Sequence, residues 1–387
     1  MKTFEYCLRP TKKQASILMN VLIASRKMYN DCLEELITHY KETGKYLHLY
    51  KQDKHHGKEA HPDLPAVVVD TTLKRLHRSF TNFFRGLKEG RKVGFPRFKS
   101  ANAWNTIQFR DAKNCLDNGY LKTPQICGGR IRAIVHRPLE GTFKYARLVL
   151  RPSGWYVQCV CETTSAPLPM NDHAVGLDMG IRYLVADSNG HVVENPKHAK
   201  KSAKKLAHAQ KKLSRCKKGS HRCKKAKKVV ARIHEHITNQ RKDTLHKASH
   251  TYVKHYQTIV IEDLKPANMV RNHCLAFAIA DASWGMFRHY LENKAESAGR
   301  QVIVVAPHYT SQMCSQCGES VQKSLSVRTH ACPHCGYMAD RDLNAARNIL
   351  QRGLQGQART GPSLREREGR AQARESPLPL KREAAGL

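Results

Sequence analysis

The sequence predicts a multidomain α+β protein, and three observations lead to that prediction. The chain has 387 residues, enough for about two or three folding units of roughly 100 to 200 residues, and 40% of it is hydrophobic. Apolar residues recur at helical spacing in the first 90 residues, and short β-rich segments follow from Gly94 to about Pro167. From Ala174 onward, strand and helix patterns mix before two Cys pairs.

The chain is strongly basic, with 67 Lys and Arg against 32 Asp and Glu, a formal net charge of +35 and a pI near 9.9. Such a field attracts a polyanion. No stretch approaches the ~20 apolar residues of a membrane span, and the start MKTFEYCLRPTKK lacks the apolar block of a signal peptide. Most of the thirteen cysteines are scattered singly, which fits a reducing compartment. We therefore expect a cytosolic protein without a membrane partner.

The first 90 residues are predicted to form a short strand followed by helices. Thr3 to Leu8 resembles a strand, and Thr11-x-x-Gln14 is typical of a capping box that starts a helix. A second helix is expected from about Asp70 to Lys88, and the polar, His-rich segment Lys51 to Pro65 is expected to be a loop. The residues predicted on the buried face of the first helix are Leu18, Val21, Leu22, Ser25, Met28, Tyr29, Cys32, Leu33 and Leu36.

A linker at Pro167 to Asp172 separates the β-rich zone from the mixed zone. VGLDMGIRYLVADSNGHVVE has alternating segments around an SNG turn, which is typical of a strand meander. The very basic segment from Lys197 to about His255 is predicted to form two antiparallel helices joined at Gly219. A strand from Thr258 to Ile261, an amphipathic helix and the strand QVIVVAP follow.

Two CxxC pairs, in CSQCG and CPHCG, place four thiolates in two short turns: Cys314, Cys317, Cys332 and Cys335. Zn²⁺ in tetrahedral coordination is the expected occupant, and so small a loop has little core without the metal. Redox-active cysteines or an iron site are the alternatives. Because four protein ligands fill the coordination of zinc, this site is predicted to be structural.

Other potential ligands near these cysteines are expected to have different roles. Cys216, His221 and Cys223 have irregular spacing for zinc and lie in the basic segment, so they do not indicate a second metal site. We expect three nearby histidines to lie at the surface or to contact phosphate: His308, His330 and His334.

Separated carboxylates carry the catalytic hypothesis. Asp178 follows an apolar strand between Gly176 and Gly180, small residues that would let a phosphate and a hydrated cation approach. Glu262 ends the TIVIE strand, and open sheets hold ligands at strand ends. Carboxylate oxygens suit Mg²⁺ or Mn²⁺, and a pair of such ions about 4 Å apart can hydrolyse a phosphodiester. Each acid alone is also typical of a strand end or a helix cap.

The third acid is Asp340 or Asp342, which both precede a helix expected to run to about Gln351. Asp340 occupies the N-cap position, and Asp342 shares a helix face with Ala345, Ala346 and Ile349. This spacing favours Asp342 as the metal ligand. GLDMG also fits the GxDxG element that surrounds ATP phosphates in sugar kinases and actin-like ATPases. No second phosphate loop or adenosine motif accompanies it here.

Taken in order, GLDMG, IVIEDL, the two CxxC pairs and DRDLNAARNIL resemble the TnpB family, transposon-encoded relatives of type V CRISPR effector nucleases. The resemblance covers most of the chain and includes GFPRFKS (Gly94 to Ser100) and YTSQMCSQCG (Tyr309 to Gly318). It implies metal-binding, catalytic roles for Asp178, Glu262 and Asp342. The parts it implies are a β-barrel wedge domain (1–10 and 91–168), an inserted helical recognition domain (11–90), a RuvC-like nuclease domain of RNase H fold (174–310 and 339–354), an inserted zinc ribbon (311–338) and a disordered tail (355–387).

The resemblance further implies a guide RNA from the transposon end and a double-stranded DNA target beside a short motif; no protein oligomer is expected. The positive charge is spread over all zones, which is compatible with holding an RNA–DNA duplex by its backbone. A solvated basic face without an ordered partner is the alternative. Candidate nucleic-acid contacts are Arg97, Lys99, Lys204, Lys211, Lys224 and Lys228.

The predicted function is an RNA-guided, metal-dependent DNA endonuclease with one RuvC-like site. One alternative is a guide-programmed DNA-binding repressor without cleavage, against which the three acids argue. The other is a zinc-ribbon nuclease that processes RNA, which only a comparison of substrates separates from the first.

Aromatic residues interleave with basic ones in GFPRFKS and as far as Trp104. Stacking on unpaired bases is one interpretation of this pattern, and core packing is the other. Four more aromatic side chains are expected in the core: Tyr29, Phe80, Phe83 and Phe84.

Overall fold

The computed structural model of the protein describes residues 1–109, 116–164, 166–324 and 327–360. These residues form two compact units, the first over Met1–Thr164 and the second from residue 166 onward. Each unit has hydrophobic core clusters of its own.

One antiparallel sheet organises the first unit. Its strands are β1 (Lys2–Arg9), β2 (Thr106–Phe109), β3 (Leu116–Asp117), β4 (Tyr120–Thr123), β5 (Gly129–Ile134), β6 (Thr142–Arg151) and β7 (Gly154–Glu162). The order is β2-β6-β7-β1-β5-β4-β3, so β1, the first strand of the chain, lies between β5 and β7, which come much later in the sequence. Within the described residues, β2 and β3 are the two edge strands of this sheet.

Helices fill the sequence between β1 and β2 and pack against the same core. They are α1 (Lys12–Thr43), α2 (Leu49–His55) and α3 (Ala66–Lys88); a short α4 (Pro124–Cys127) follows β4. The predicted capping box starts α1, since Thr11 Oγ1 accepts from the Gln14 backbone N–H at 3.2 Å and Gln14 Oε1 accepts from the Thr11 N–H at 3.0 Å. All nine residues predicted on its inner face are buried.

The segment Lys51 to Pro65 is not the loop that its polarity predicts. It contains most of α2 and a 3₁₀ turn at Lys58–Ala60. Gln52 explains the difference, because its fully buried amide donates to the carbonyl oxygen of Cys32 and to the Glu35 carboxylate, both at 2.7 Å. A tertiary contact to α1 therefore stabilises a helical turn that the local sequence does not indicate.

A mixed sheet organises the second unit. Its strands are β8 (Ala174–Asp178), β9 (Tyr183–Asp187), β10 (Val192–Glu194), β11 (Thr258–Glu262) and β12 (Gln301–Val305), with β13 (Thr329–Ala331) and β14 (Met338–Asp340) in a separate hairpin. The order is β10-β9-β8-β11-β12; β8, β11 and β12 run parallel, and β9 and β10 are antiparallel to their neighbours. The carboxyl ends of β8 and β11 thus lie side by side.

The helices of this unit are α5 (His198–Ser214), α6 (His221–His255), α7 (Pro266–Met269), α8 (His273–Ala282), α9 (Trp284–Ala298) and α10 (Arg341–Thr360). The predicted basic hairpin is confirmed as α5 and α6, with Gly219 at φ 84° in the turn between them. Helix α10 extends past the expected end at Gln351, so residues 355–360 belong to it, not to a tail. The rest of the predicted tail, 361–387, lies outside the described residues. No helix in the described ranges is long and apolar enough to cross a membrane.

A remote carboxylate anchors the basic hairpin. Asp281, buried on α8, accepts from the backbone N–H of Ala199 at 3.0 Å and of Lys200 at 3.3 Å, and from Arg241 Nη2 of α6 at 3.0 Å. The N-cap residue of α5 itself, Lys197, offers no capping side chain. Asp281 therefore satisfies the first N–H groups of α5 and joins both helices of the hairpin to α8.

Helix α10 packs directly against the sheet because two glycines allow its close approach. A methyl group at Gly176 would lie 2.2 Å from the carbonyl oxygen of Ala346, and one at Gly353 would lie 2.5 Å from Val260 Cγ1. The free face of Gly176 is thus filled by α10. The expectation that Gly176 admits a phosphate is wrong; this glycine admits a helix.

We expect Gly176→Ala to lower the free energy of unfolding of the second unit by about 3 kcal/mol or more, because the new methyl group meets main-chain atoms that cannot move aside. Gly285→Ala in α9 is the matched control, since a methyl group there meets nothing within 4 Å. The control should change stability by less than about 1 kcal/mol, the size of a Gly→Ala effect inside a helix, because Gly285 lies in the first turn of α9. Denaturant unfolding of both variants measures this, and equal stability of the two would contradict the packing argument.

Candidate metal centres

The four predicted cysteines meet in one cluster. Their sulfur atoms all lie within 4.8 Å of one another, with Cys314 Sγ 3.7 Å from Cys335 Sγ and Cys317 Sγ 3.6 Å from Cys332 Sγ. A tetrahedral zinc ion with Zn–S bonds of about 2.3 Å requires sulfurs about 3.8 Å apart. The cluster therefore has the donors and the spacing of a Zn²⁺ site.

The two CxxC turns have the same backbone design. Gly318 N–H donates to the Cys314 carbonyl at 2.9 Å, and Gly336 N–H donates to the Cys332 carbonyl at 3.0 Å. Both glycines have positive φ, 81° and 72°, which other residues rarely adopt. These turns present each pair of thiols to a common point.

His330 lies between the two turns in the sequence. The prediction that it lies at the surface is wrong. It is fully buried, and its Nδ1 lies 2.5 Å from Lys323 Nζ. His330 is buried because it is the middle residue of β13, whose alternation turns this side chain inward. His308 and His334 are exposed, as expected.

The acidic residues at the ends of the parallel strands lie next to each other. Asp178 is the last residue of β8 and Glu262 is the last residue of β11. The register pairs Leu177 with Ile261, so the next residues on each strand are these two acids. Neighbouring strands are about 4.8 Å apart, which places both carboxylates at one edge of the sheet.

Asp340 and Asp342 have different roles at the start of α10. Asp340 is exposed, and its Oδ1 accepts from the Asp342 backbone N–H at 2.8 Å, which is the capping contact predicted for it. The Asp342 side chain is buried, with its Oδ1 3.5 Å from Arg341 Nε and 3.8 Å from Arg328 Nη1. The capping contact therefore belongs to Asp340, whereas the Asp342 carboxylate lies beside two arginines.

Electrostatic interactions couple Asp178 to the other two acids. Burial, together with the negative charges of Glu262 and Asp342, raises the pKa of Asp178 to about 8, while Arg341 opposes the rise. Burial also raises the pKa of Glu262, against a lowering effect of the Thr310 hydrogen bond and of Arg352. Closely placed carboxylates that resist ionisation in this way would be stabilised by a divalent cation between them.

The acids are more widely spaced than the thiols. Among the described residues, the four cysteines are the only group of three or more potential ligand residues whose ligand atoms all lie within 4.8 Å of one another. Cys216, His221 and Cys223 form no such group there, which agrees with the sequence-based expectation.

Thr310 is a residue of this site that the carboxylate pattern did not indicate. Its Oγ1 donates to Glu262 Oε1 at 2.6 Å, and both side chains are buried. The only signal in the sequence is its place in YTSQMCSQCG, just before the first CxxC turn. Thr310 holds one oxygen of Glu262 and leaves the other free for an ion.

Helix α10 binds the backbone around Thr310 with a row of amide side chains. Asn348 Nδ2 donates to the carbonyls of Thr310 at 2.8 Å and Met313 at 2.7 Å. Asn344 donates to the Met313 carbonyl at 2.7 Å and accepts from the Ser315 N–H at 2.9 Å. The helix that carries Asp342 therefore also fixes the segment that positions Glu262 and begins the cysteine cluster.

Comparisons with known proteins match several parts of the chain. Family models match as OrfB_IS605, "Probable transposase", over residues 157–273, as "Cas12f1-like, TNB domain" over 284–349 and as a "Helix-turn-helix domain" of OrfB_IS605 over 1–45. A protein of Streptomyces pristinaespiralis named "Putative RNA-guided DNA endonuclease" is 34% identical, over 100% of this chain and 98% of its own. The chain belongs to the TnpB family of RNA-guided DNA endonucleases. Escherichia coli K12 has another member, "Putative RNA-guided DNA endonuclease InsQ", at 31% identity over 91% of this chain and 92% of that one.

A solved structure entitled "Cryo-EM structure of the Cas12f1-sgRNA-target DNA complex" aligns with 90% of this TnpB family chain and 98% of its own. The identity is 17% and the TM-score is 0.36, a value too low to support an argument.

The nucleic-acid candidates of this TnpB family protein are accessible. Lys204 and Lys211 on α5, Lys224 and Lys228 on α6, and Arg97 in the first unit are exposed. The Nζ of Lys99 lies over the Tyr29 ring at 5.6 Å from its centroid, so this side chain is partly engaged within the protein.

We expect Thr310→Val to raise the Mg²⁺ concentration for half-maximal cleavage about tenfold. A hydrogen bond to a charged group is worth ~1.5–3 kcal/mol, and its loss leaves a buried oxygen of Glu262 without a donor. Thr310→Ser retains the hydroxyl and is the matched control, which should behave as wild type. If valine and serine give the same Mg²⁺ dependence as threonine, Thr310 does not position Glu262.

Without added Mg²⁺, the protein should lose stability as pH rises. Asp178 is protonated in the folded chain below about pH 8 but ionises near 3.8 when unfolded, so its stabilising contribution is complete below 3.8 and is lost as pH rises through about 8. Asp178→Asn stays neutral at every pH. Calorimetry of zinc-loaded protein between pH 5 and 8.5 should show a Tm that falls a few degrees further in wild type than in the variant; parallel curves would refute this.

Proposed function

We propose that this protein is a guided DNA endonuclease that cuts double-stranded DNA at the site formed by Asp178, Glu262 and Asp342. The observation that carries the proposal is the position of these three acids at the carboxyl ends of β8 and β11 and in the first turn of α10, where the negative charges of Glu262 and Asp342 raise the pKa of Asp178. This is the arrangement that a metal-dependent nuclease needs.

The three acids would hold Mg²⁺ or Mn²⁺, which prefer hard oxygen ligands. When bound, such ions supply an activated water and stabilise the leaving oxygen of a phosphodiester. The side chains of this protein orient that site: Thr310 fixes one oxygen of Glu262, and Asp340 holds the first turn of α10 so that Asp342 faces the sheet. Arg341 and Arg328, next to Asp342, would attract the phosphate of the substrate.

The partners of the proposed function are a guide RNA from the transposon end and a DNA target beside a short recognition motif, acting in the prokaryotic cytosol. Names of relatives and the charge of +35 support nucleic-acid partners. The hairpin of α5 and α6, held by Asp281, would support the backbone of the RNA–DNA duplex. Residues 1–10 and 91–168 would form the wedge domain, 11–90 the recognition domain, 174–310 and 339–354 the RuvC-like nuclease, and 311–338 its structural zinc ribbon.

The proposed function is tested by co-expressing the protein with its flanking transposon sequence and purifying the complex. The complex is then given a plasmid library in which the guide-matched target lies beside randomised bases. Guide-dependent, Mg²⁺-dependent cutting that selects one motif is expected. Binding without cutting would instead indicate a repressor, and cutting of RNA alone would indicate an RNA-processing nuclease.

The choice of the third acid is tested by a matched pair of variants in the same assay. Asp342→Asn should reduce cleavage at least a hundredfold, roughly the loss of ~3 kcal/mol of transition-state stabilisation, because a metal ligand is lost. Asp340→Asn should cut at nearly the wild-type rate, because Asn caps a helix as well as Asp. The reverse ranking of the two variants would assign the ligand to Asp340.

A further inference from the structure

An exposed aromatic patch lies at the end of α3 and in the loop after it. We call Phe84, Leu87, Phe95 and Phe98 the Phe patch; their side chains are 47%, 53%, 48% and 54% exposed. The expectation that Phe84 belongs to the core is wrong, since the core ends one turn earlier at Phe80, which is buried. Several large apolar side chains held together in water are typical of an interaction site.

Two rings of the patch, Phe84 and Phe95, are held by contacts within the first unit. Phe95 lies 5.4 Å from both Phe80 and Phe83, and Phe84 lies 5.5 Å from Phe83, measured between ring centroids. Tyr46 also contacts Phe84, at 5.6 Å. Phe84 and Phe95 are thus the outer edge of an aromatic cluster that begins in the core, and Phe98 follows Phe95 three residues later in the same loop.

The loop that carries Phe95 and Phe98 is anchored at both ends. At its start, Arg91 N–H donates to the Gly86 carbonyl at 2.9 Å, and Val93 packs so closely on Gly86 that a methyl group there would lie 2.5 Å from Val93 Cγ1. At its end, Asn30 binds the backbone of Lys99 on both sides, at 2.7 Å to its N–H and 3.1 Å to its carbonyl. The aromatic side chains are therefore displayed by an ordered backbone.

Basic side chains surround the patch. The exposed residues of segment 85–97 include one acid, Glu89, which pairs with Arg91. The exposed cations are Arg85, Lys88, Arg91, Lys92 and Arg97. A ligand that fits must offer negative charge and flat apolar faces together, which is the chemistry of nucleotides whose bases are unpaired.

We propose that the Phe patch is a stacking platform for unpaired bases of a bound RNA or DNA strand. The proposal rests on the proposed function only in that the protein binds nucleic acid. Paired bases are hidden within their duplex, so the patch selects a strand that is open at that point. Phe98 is the most exposed ring of the patch and contacts the first of these bases.

The test uses the full chain purified with its guide RNA and two single-stranded probes of the same 20-base sequence, one DNA and one RNA, each with 2-aminopurine at several positions. Phe98→Leu keeps the apolar bulk and removes the ring, and Phe98→Trp keeps a ring. Phe98→Leu should weaken binding of at least one probe about tenfold and restore its fluorescence, and Phe98→Trp should match wild type. The probe that responds identifies the strand as DNA or RNA.

The proposal would be overturned if Phe98→Leu bound both probes as wild type does, because the ring would then not be needed. It would also be overturned if Phe98→Leu and Phe98→Trp lost the same binding affinity, because a stacking site should accept another aromatic ring. Arg97→Gln is the control for charge and should reduce the salt dependence of binding by about one ion without changing the fluorescence. Plasmid cleavage is measured separately. If Phe98→Leu loses stacking but the wild-type complex cuts no DNA, the stacking platform is retained and the nuclease function is rejected. If the wild-type complex cuts DNA but Phe98→Leu stacks normally, the nuclease function is retained and the platform is rejected.

Discussion

The close contact of α10 with the sheet is the constraint on which the second unit depends. Gly176 lets the backbone of α10 approach β8, and Gly353 lets the Val260 side chain of β11 approach the helix. The first turn of α10 consequently reaches the strand ends that carry Asp178 and Glu262, and it brings Asp342 there. Three acids that are far apart in the sequence share one environment because of this packing, not because of any local motif.

The same helix connects the two metal centres. Its inner face packs on the sheet, while Asn344 and Asn348 bind the backbone that runs from Thr310 into the first CxxC turn. Thr310 in turn binds Glu262. The cysteine cluster therefore begins in a segment that touches the acidic site, and a zinc ion bound there would stabilise the geometry of that segment.

Charge is distributed so that a buried acidic site can exist in a very basic protein. Arg341 lowers the pKa of Asp178 and Arg352 that of Glu262, but neither offsets the effect of burial. The balance leaves two acids whose ionisation is disfavoured, Asp178 and Glu262, in a chain with a formal net charge of +35. Asp281, an acid from another helix, binds the first N–H groups of α5 and Arg241 of α6, so it anchors the two helices that carry the exposed lysines.

The sequence by itself determined what depends on near neighbours: the buried stripe and capping box of α1, the CxxC turns, the basic hairpin, and Asp340 as a cap. Three features that it predicted wrongly depend on remote partners. The hydrogen bond from Gln52 to the Cys32 carbonyl stabilises α2. His330 is buried beside Lys323, and the carbonyl of Ala346 fills the space at Gly176. Periodicity and spacing report the interactions of residues a few positions apart. Which distant segment covers a glycine, receives an amide or leaves a phenylalanine in water was decided only by tertiary packing, because those contacts join parts of the chain that no local pattern relates.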